Sequence, residues 1–236
     1  MIVIVPCGGL CNRLRVIFSY YNYAISNNET LTVIWYENND IANESFLNFF
    51  EPVEHITFLS NNNDQLLINY HGVFCCKDYP PIYDKLKIKP YVQDIVNQRI
   101  NIIGDYIAIH VRRGDHIVTA KNRNMFTEFE DFCNFINKEK KDKKLYIATD
   151  NKKTWENFFK KYKKIIKFPF PKENPQVQKR RTKLIDSIID IYMCVNASEF
   201  LGSGWSSFSE FIEQLRNPNP HSWKYHPPIS YREEEF

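Results

Sequence analysis

Five of the seven glycines in this chain of 236 residues fall in three short segments: Gly8-Gly9, Gly114, and Gly202 with Gly204. Each segment directly follows a run of apolar residues with strand character. Average usage, about 7%, would place roughly sixteen glycines in a chain this long. A chain this poor in glycine keeps it where backbone must turn tightly or let something approach closely. In open α/β sheets ligands bind beyond the carboxyl ends of the strands, and all three segments lie at such ends. Strand-to-helix turns also need glycine for their own geometry, so for any single segment the two explanations stand level. The polar residues beside the glycines separate them.

The runs between the glycines alternate in kind. The first half reads as a strand over 2–5, a helix over 10–26, a strand over 31–36, weaker strands over 56–59 and 66–70, and a helix over 90–102. Leu14, Ile17, Phe18, Tyr21 and Ile25 recur at three- and four-residue spacing, which gives the first helix one apolar face to lay on a sheet. The second half reads as strands over 106–111, 145–148, 165–168 and 200–201, with helices over 128–138, 155–162, 182–197 and 207–216. Strands alternating with helices of this length predict parallel βαβ units, hence an α/β fold with two doubly wound, Rossmann-like lobes. The expected division is an N-terminal lobe over 1–102, a C-terminal lobe over 103–216, and a proline-rich tail over 217–236 laid on the surface.

Composition excludes several functions. With 43% hydrophobic, 15% aromatic and 25% charged residues the chain can build packed cores. Net charge is only +3, and the lysine runs at 138–144 and 160–164 are interrupted by acids or apolar residues. They read as solvated helix faces, and no nucleic-acid partner is expected. The apolar run at 1–5 is too short for an export signal or a membrane span, so a cytoplasmic location and reduced cysteines are expected. The six cysteines show no paired zinc spacing.

The segment around Gly114 carries the sharpest chemistry. In Ile107-Ala-Ile-His110-Val-Arg112-Arg113-Gly114-Asp115, strand alternation puts His110 and Arg112 on one face and Arg113 on the other. A buried strand that ends by delivering a guanidinium into a crevice calls for an anion there. The planar fork of arginine matches a phosphate bidentately. The alternative is an ion pair within the chain, with an acid such as Asp115. The third segment, Gly202-Ser-Gly204-Trp-Ser206-Ser207-Phe208, runs through glycines into a helix that opens on hydroxyls. Backbone N–H groups, hydroxyl donors and the positive helix end meet at one place, which suits a pyrophosphate. The sequence has no Asp-x-Asp pair, no phosphate loop of the Gly-Lys-Ser/Thr type and no metal-spaced His/Cys/acid cluster, so no metal cofactor is expected.

Four motifs, taken in order, resemble those shared by GDP-fucosyltransferases of the core, nodulation-factor and protein O-fucosylating kinds. They are Gly8-Gly-Leu-Cys-Asn12-Arg13-Leu-Arg15, His110-Val-Arg-Arg-Gly-Asp115, Tyr146-Ile-Ala-Thr-Asp150-Asn151 and Gly202-Ser-Gly-Trp-Ser-Ser-Phe-Ser209. Trp35 followed by the Phe46-Leu-Asn-Phe-Phe50 cluster is similar to small bacterial-type members. The resemblance spans about residues 1–212. It implies a GT-B-like fold, two Rossmann-like lobes with parallel sheets facing a cleft, and an inverting, metal-independent transfer from a GDP-sugar. GDP-fucose is the expected donor, and a glycan or glycoconjugate hydroxyl the acceptor.

By the same resemblance Arg112 would grip the β-phosphate, and His110 would position donor phosphate or ribose. Ser206, Ser207 and Phe208 would donate to the diphosphate. Arg113 and Asp150 would complete the donor side, while Gly9, Asn12 and Arg13 would face the cleft from the other lobe. Asp190 matches an acid that reads guanine, since a carboxylate can accept from N1–H and the N2 amine together; the plainer reading is a solvated helix acid near Asp186. Asp115 is the candidate base for the acceptor hydroxyl. The acid that follows the arginine motif by several residues in the core enzymes has no counterpart, Ala120 lying near its place. Two other functions compete: a nucleotide-sugar or glycan binding module without turnover, and a nucleic-acid-binding α/β protein.

Overall fold

The computed structural model describes residues 1–37, 44–114, 117–162, 165 and 183–218. The chain divides into two compact units, the first built on Met1–Lys87 and the second on Ile88–Asn217.

The first unit is a four-stranded parallel sheet in the order β3-β2-β1-β4, formed by β1 (Ile2–Pro6), β2 (Leu31–Ile34), β3 (Ile56–Leu59) and β4 (Tyr70–Gly72). Strands β1 and β2 are buried along their whole length, as continuous Val/Ile runs in a parallel sheet should be. Helix α1 (Leu10–Ser26) lays Leu14, Ile17 and Phe18 into the core, none of them exposed to solvent. The short α2 (Phe46–Phe49) was not expected from the sequence. It exists to seat Phe46, whose ring stacks 4.1 Å from Phe58 and lies edge-on to Trp35 at 5.9 Å.

The second unit is a three-stranded parallel sheet in the order β6-β5-β7, formed by β5 (Tyr106–Val111), β6 (Lys144–Thr149) and β7 (Glu199–Gly202). Its helices are α3 (Pro90–Ile103), α4 (Ile117–Asn122), α5 (Phe129–Glu139), α6 (Lys152–Lys161), α7 (Leu184–Val195) and α8 (Ser207–Arg216). The two faces of this sheet differ. Ile107, Ile109, Val111, Leu145 and Ile147 form a dry core with Phe132, Cys133 and Ile136 of α5 and Phe158 of α6. The opposite face carries Tyr106, Ala108 and His110 on β5, with Tyr146 and Ala148 beside them on β6 and Phe200 and Gly202 on β7. Here α7 packs, tied by the Tyr106 hydroxyl, which donates to the Met193 carbonyl at 2.7 Å.

Several boundaries differ from expectation. The units part after Lys87 rather than after residue 102. Helix α3 belongs to the second unit because its apolar stripe, Val92, Val96 and Ile103, is buried there, with α7 as its partner helix. The strand expected over 66–70 forms as Tyr70–Gly72, with Leu67 left 84% exposed and the Asn69 side chain accepting from Val3 N at 2.7 Å. Of the strand expected over 165–168 only Ile165 is described, bridging Leu145 in parallel. The expected tail lies outside the described residues from 219 onward. Among the described residues no helix is long and apolar enough to cross a membrane.

Candidate functional site

The carboxyl ends of β5 and β7 are sewn together by side chains. His110, 4% exposed, sits at the end of β5 with Nδ1 at 2.7 Å from the Ser209 hydroxyl of α8. Its ring lies 4.4 Å from that of Phe208. Between the strands, the Ser203 hydroxyl donates to the His110 carbonyl at 3.1 Å and accepts from Arg112 N at 2.8 Å. Gly202 is the register partner of His110, and a Cβ there would stand 2.5 Å from Ser209 Cβ. The absent side chain is therefore what lets α8 start against the strand. Burial, and then the Arg112 charge, pushes His110 down to about 3. The imidazole is neutral at working pH, so it can orient a ligand by hydrogen bonding but adds no positive charge.

Arg112 supplies that charge. Its side chain is a quarter exposed, and Nη1 stands 3.2 Å from Asp150 Oδ2. The other oxygen of Asp150 accepts from Arg113 N at 2.9 Å, so one carboxylate at the end of β6 braces the turn after β5. Gly114 makes room for this: a Cβ would meet Asp150 Oδ2 at 2.7 Å. Asp150, 38 positions along the chain, is thus an ion-pair partner of Arg112, while Asp115 lies outside the described residues.

Arg113 points elsewhere, as strand alternation requires. Its guanidinium donates to the Thr127 carbonyl at 2.9 Å and the Arg112 carbonyl at 3.2 Å, and lies 4.5 Å over the Phe126 ring. Burial lowers its affinity for the proton, offset by Glu128 and Asp150. Its donors serve the fold of the loop that follows β5. The same loop meets the turn before α8, where Thr127 Oγ1 accepts from Gly204 N at 2.8 Å.

Helix α8 begins at Ser206, whose side chain caps Ser209 N. The N–H groups of Ser207 and Phe208, first in the helix, have no acceptor within it and carry the positive end of its dipole. His110, Arg112, Asp150, Ser206, Ser207 and Phe208 thus lie at the carboxyl ends of three adjoining strands, β6, β5 and β7. Asp190 sits on α7, where its Oδ1 accepts from the Tyr146 hydroxyl at 2.5 Å. It is not the solvated acid of the plainer reading: it is half-buried against Tyr146, and burial pushes it up to about 7.

In the first unit, Gly9 is the N-cap of α1 and Asn12 accepts from Arg15 Nη2 at 3.2 Å. Arg13 is 1% exposed: Nε donates to the Gly8 carbonyl at 2.9 Å, and the guanidinium lies 4.7 Å over Trp35. It cross-links the core of that unit. Sequence reasoning missed Ser203, Ser209 and Thr127 as the stitches of the second-unit cluster. The only signal was that Ser209 stands three residues after an N-cap serine, the spacing at which a side chain meets the first turn. Among the described residues, no three His, Cys, Asp or Glu side chains group closely enough to hold a metal ion.

A family model described as GDP-fucose protein O-fucosyltransferase matches residues 83–219, more than half of the chain. No curated protein sequence matches it. Among solved structures, the fold is similar to NodZ alpha-1,6-fucosyltransferase soaked with GDP-fucose, at 13% identity and a TM-score of 0.63, covering 90% of this chain and 92% of that one. Fucosyltransferase NodZ from Bradyrhizobium gives 14% and 0.63, with the same coverage. POFUT1 in complex with GDP gives 12% and 0.62, covering 93% of this chain and 96% of that one. The α/β, GT-B-like fold with parallel sheets in two units follows from these likenesses.

Proposed function

This chain belongs to the GDP-fucose protein O-fucosyltransferase family, and on that premise we propose how this fucosyltransferase works. Fucose moves from GDP-fucose to a hydroxyl on a glycan or glycoconjugate in one displacement that inverts the anomeric centre and requires no metal ion. The acceptor oxygen bonds to the anomeric carbon as the bond to the β-phosphate oxygen breaks, and the electron pair leaves with GDP. The acceptor proton passes to a base, for which Asp115 is the candidate.

One observation supports this reading: the backbone of Arg112 and the start of α8 are tied together, by Ser203 accepting from Arg112 N and by the His110–Ser209 contact. Negative charge grows on the departing diphosphate, and a fixed cation and helix end that bind it more strongly in the transition state lower the barrier. Asp150 keeps the fork oriented before substrate arrives. Neutral His110 orients phosphate or ribose, and Asp190 accepts from the guanine edge.

The test is transfer in excess chelator, with the anomeric configuration of the product read by NMR, beside a thermal-shift panel of GDP-fucose, GDP-mannose, GDP and a UDP-sugar. Undiminished transfer with inversion, and stabilisation by guanine ligands alone, is the expected result. Activity that vanishes in chelator and returns with a divalent ion overturns the metal-free part. Retained configuration overturns the single displacement.

A further inference from the structure

Tyr146 lies on the same sheet face as His110, one strand over: Ala148 is the register partner of His110, and Tyr146 stands two residues before it. The phenol is 5% exposed, and its ring packs edge-on against Tyr106 at 6.4 Å. Its hydroxyl reaches Asp190 Oδ1. The other charged and titratable groups facing this pair include Tyr106 from β5, Arg99 from α3, and Asp186 and Cys194 one turn to either side on α7. No step of the transfer reaction uses Tyr146, yet a buried hydroxyl on a half-buried carboxylate is a strong, directional contact.

We propose that Tyr146 is a positioning residue for base recognition: its hydroxyl anchors one oxygen of Asp190, so that the carboxylate is oriented to accept from the guanine edge. This rests on the reading of Asp190 as the guanine contact.

The chemistry of the pair agrees with its geometry. Burial, and then the neighbouring Asp190, holds the Tyr146 hydroxyl well above the ordinary tyrosine range, so it is a donor at every working pH. Burial pushes Asp190 up, Asp186 adds to this, and the Tyr146 hydrogen bond and Arg99 pull it back. Guanine N1–H and the N2 amine are donors, so only the ionised form of Asp190 accepts from both. Without the tyrosine hydroxyl, Asp190 should take up its proton at higher pH, and GDP binding should fail sooner as pH drops.

The experiment measures GDP and inorganic pyrophosphate affinities for wild type, Tyr146→Phe, Asp190→Asn and the double variant. In Tyr146→Phe, GDP binding should weaken about tenfold at about pH 6 and less than about threefold at about pH 9, each against wild type at the same pH. Pyrophosphate binding should not change at either. Equal loss for both ligands, or the same loss at both pH values, makes Tyr146 a packing residue and overturns the proposal. Asp190→Asn that weakens GDP but not pyrophosphate upholds the guanine reading; equal effects on the two end it, and the proposal with it. If Asp190→Asn is selective while Tyr146→Phe matches wild type, only the tyrosine role fails. Should Tyr146→Phe be too unstable to purify, the double variant leaves no buried charge without its donor. It should match Asp190→Asn in GDP affinity within about twofold, and a larger gap overturns the proposal.

Discussion

Each unit has a buried parallel strand that leads to a glycine turn with an arginine close by, β1 in the first and β5 in the second, but the two arginines do opposite things. Arg13 turns inward, 1% exposed, its fork used on the Gly8 and Tyr36 carbonyls and its face on Trp35. Arg112 stays a quarter exposed, braced by a carboxylate. A guanidinium whose donors go to buried carbonyls is a cross-link, since withdrawing it strands those acceptors. One held by a carboxylate at the surface keeps its orientation while its charge reaches water, which is what binding an anion requires. Residue type and position along the chain do not distinguish the two; burial and partner do.

Substituting each arginine should separate these roles most strongly. Arg112→Ala should lower kcat/KM by about 10²–10³, the scale of losing one transition-state charge contact, with the melting midpoint nearly unchanged. Arg112→Lys should recover little, because the planar fork is lost. Arg13→Ala should instead cost about 3 kcal/mol of stability, roughly 6–12 °C in midpoint, with kcat/KM of the folded fraction kept near wild type. Calorimetry beside steady-state kinetics reads both. Loss of turnover in Arg13→Ala without loss of stability would put that arginine in the site and erase the contrast.

Much of the fold could be read from the sequence because the strands are continuous apolar runs and the helices carry strong periodic faces. Helix α1, strands β3 and β5 and helix α8 begin and end at the expected residues. What could not be read were side-chain partners far apart in sequence. That Arg112 meets Asp150 across 38 positions, and that Asp190 meets Tyr146 across 44, depends on the register of β5 against β6 and on where α7 lies. Local pattern fixes neither. Arg13 was expected to face a ligand, because a glycine turn signals a close approach without saying from which side. The unit boundary was misplaced for a related reason: α3 has a clear apolar stripe, and only its partner α7, some 90 residues later, decides where it belongs.

The glycines extend the comparison. Gly8 has φ of +79° and is needed for conformation, whereas Gly204 is needed for space, since a Cβ there would sit 2.0 Å from the Met125 carbonyl oxygen. Gly204→Ala must move backbone, and about 3 kcal/mol of destabilisation together with weakened GDP binding is expected, because the same turn carries Ser206. Gly8→Ala should cost only about 1–2 kcal/mol, the left-handed penalty. Denaturant titrations that give the two variants equal losses would contradict the distinction. Asp150→Asn should act more gently on the site, lowering kcat/KM about tenfold, since the fork is loosened rather than removed. A loss as deep as that of Arg112→Ala would mean that Asp150 itself takes part in the chemistry.

The smallest effect concerns acid, and it too should belong to one unit. In the first unit Cys7, Tyr21 and Cys76 are shifted, each raised from a value already above neutral. In the second unit burial raises Asp186 and Glu213, and His110 and Asp190 shift further, in opposite directions across the acid range. His110 falls from 6.5 to about 3, so below pH 6.5 the unfolded chain binds a proton that the folded one refuses, and stability is lost as pH falls. Asp190 rises from 3.8 to about 7, so above pH 3.8 the folded chain keeps a proton that the unfolded one releases, and stability is lost as pH rises toward 7. Between about pH 4 and 6.5 the two oppose, each by at most about 1.4 kcal/mol per pH unit. Wild type should therefore be flatter there than either single variant. Relative to it, Asp190→Asn should gain stability as pH is raised through that window, and His110→Asn should gain as pH is lowered. Denaturant unfolding at three or four pH values reads both slopes, and parallel profiles for wild type and Asp190→Asn would show that the carboxyl is not protonated in the folded chain.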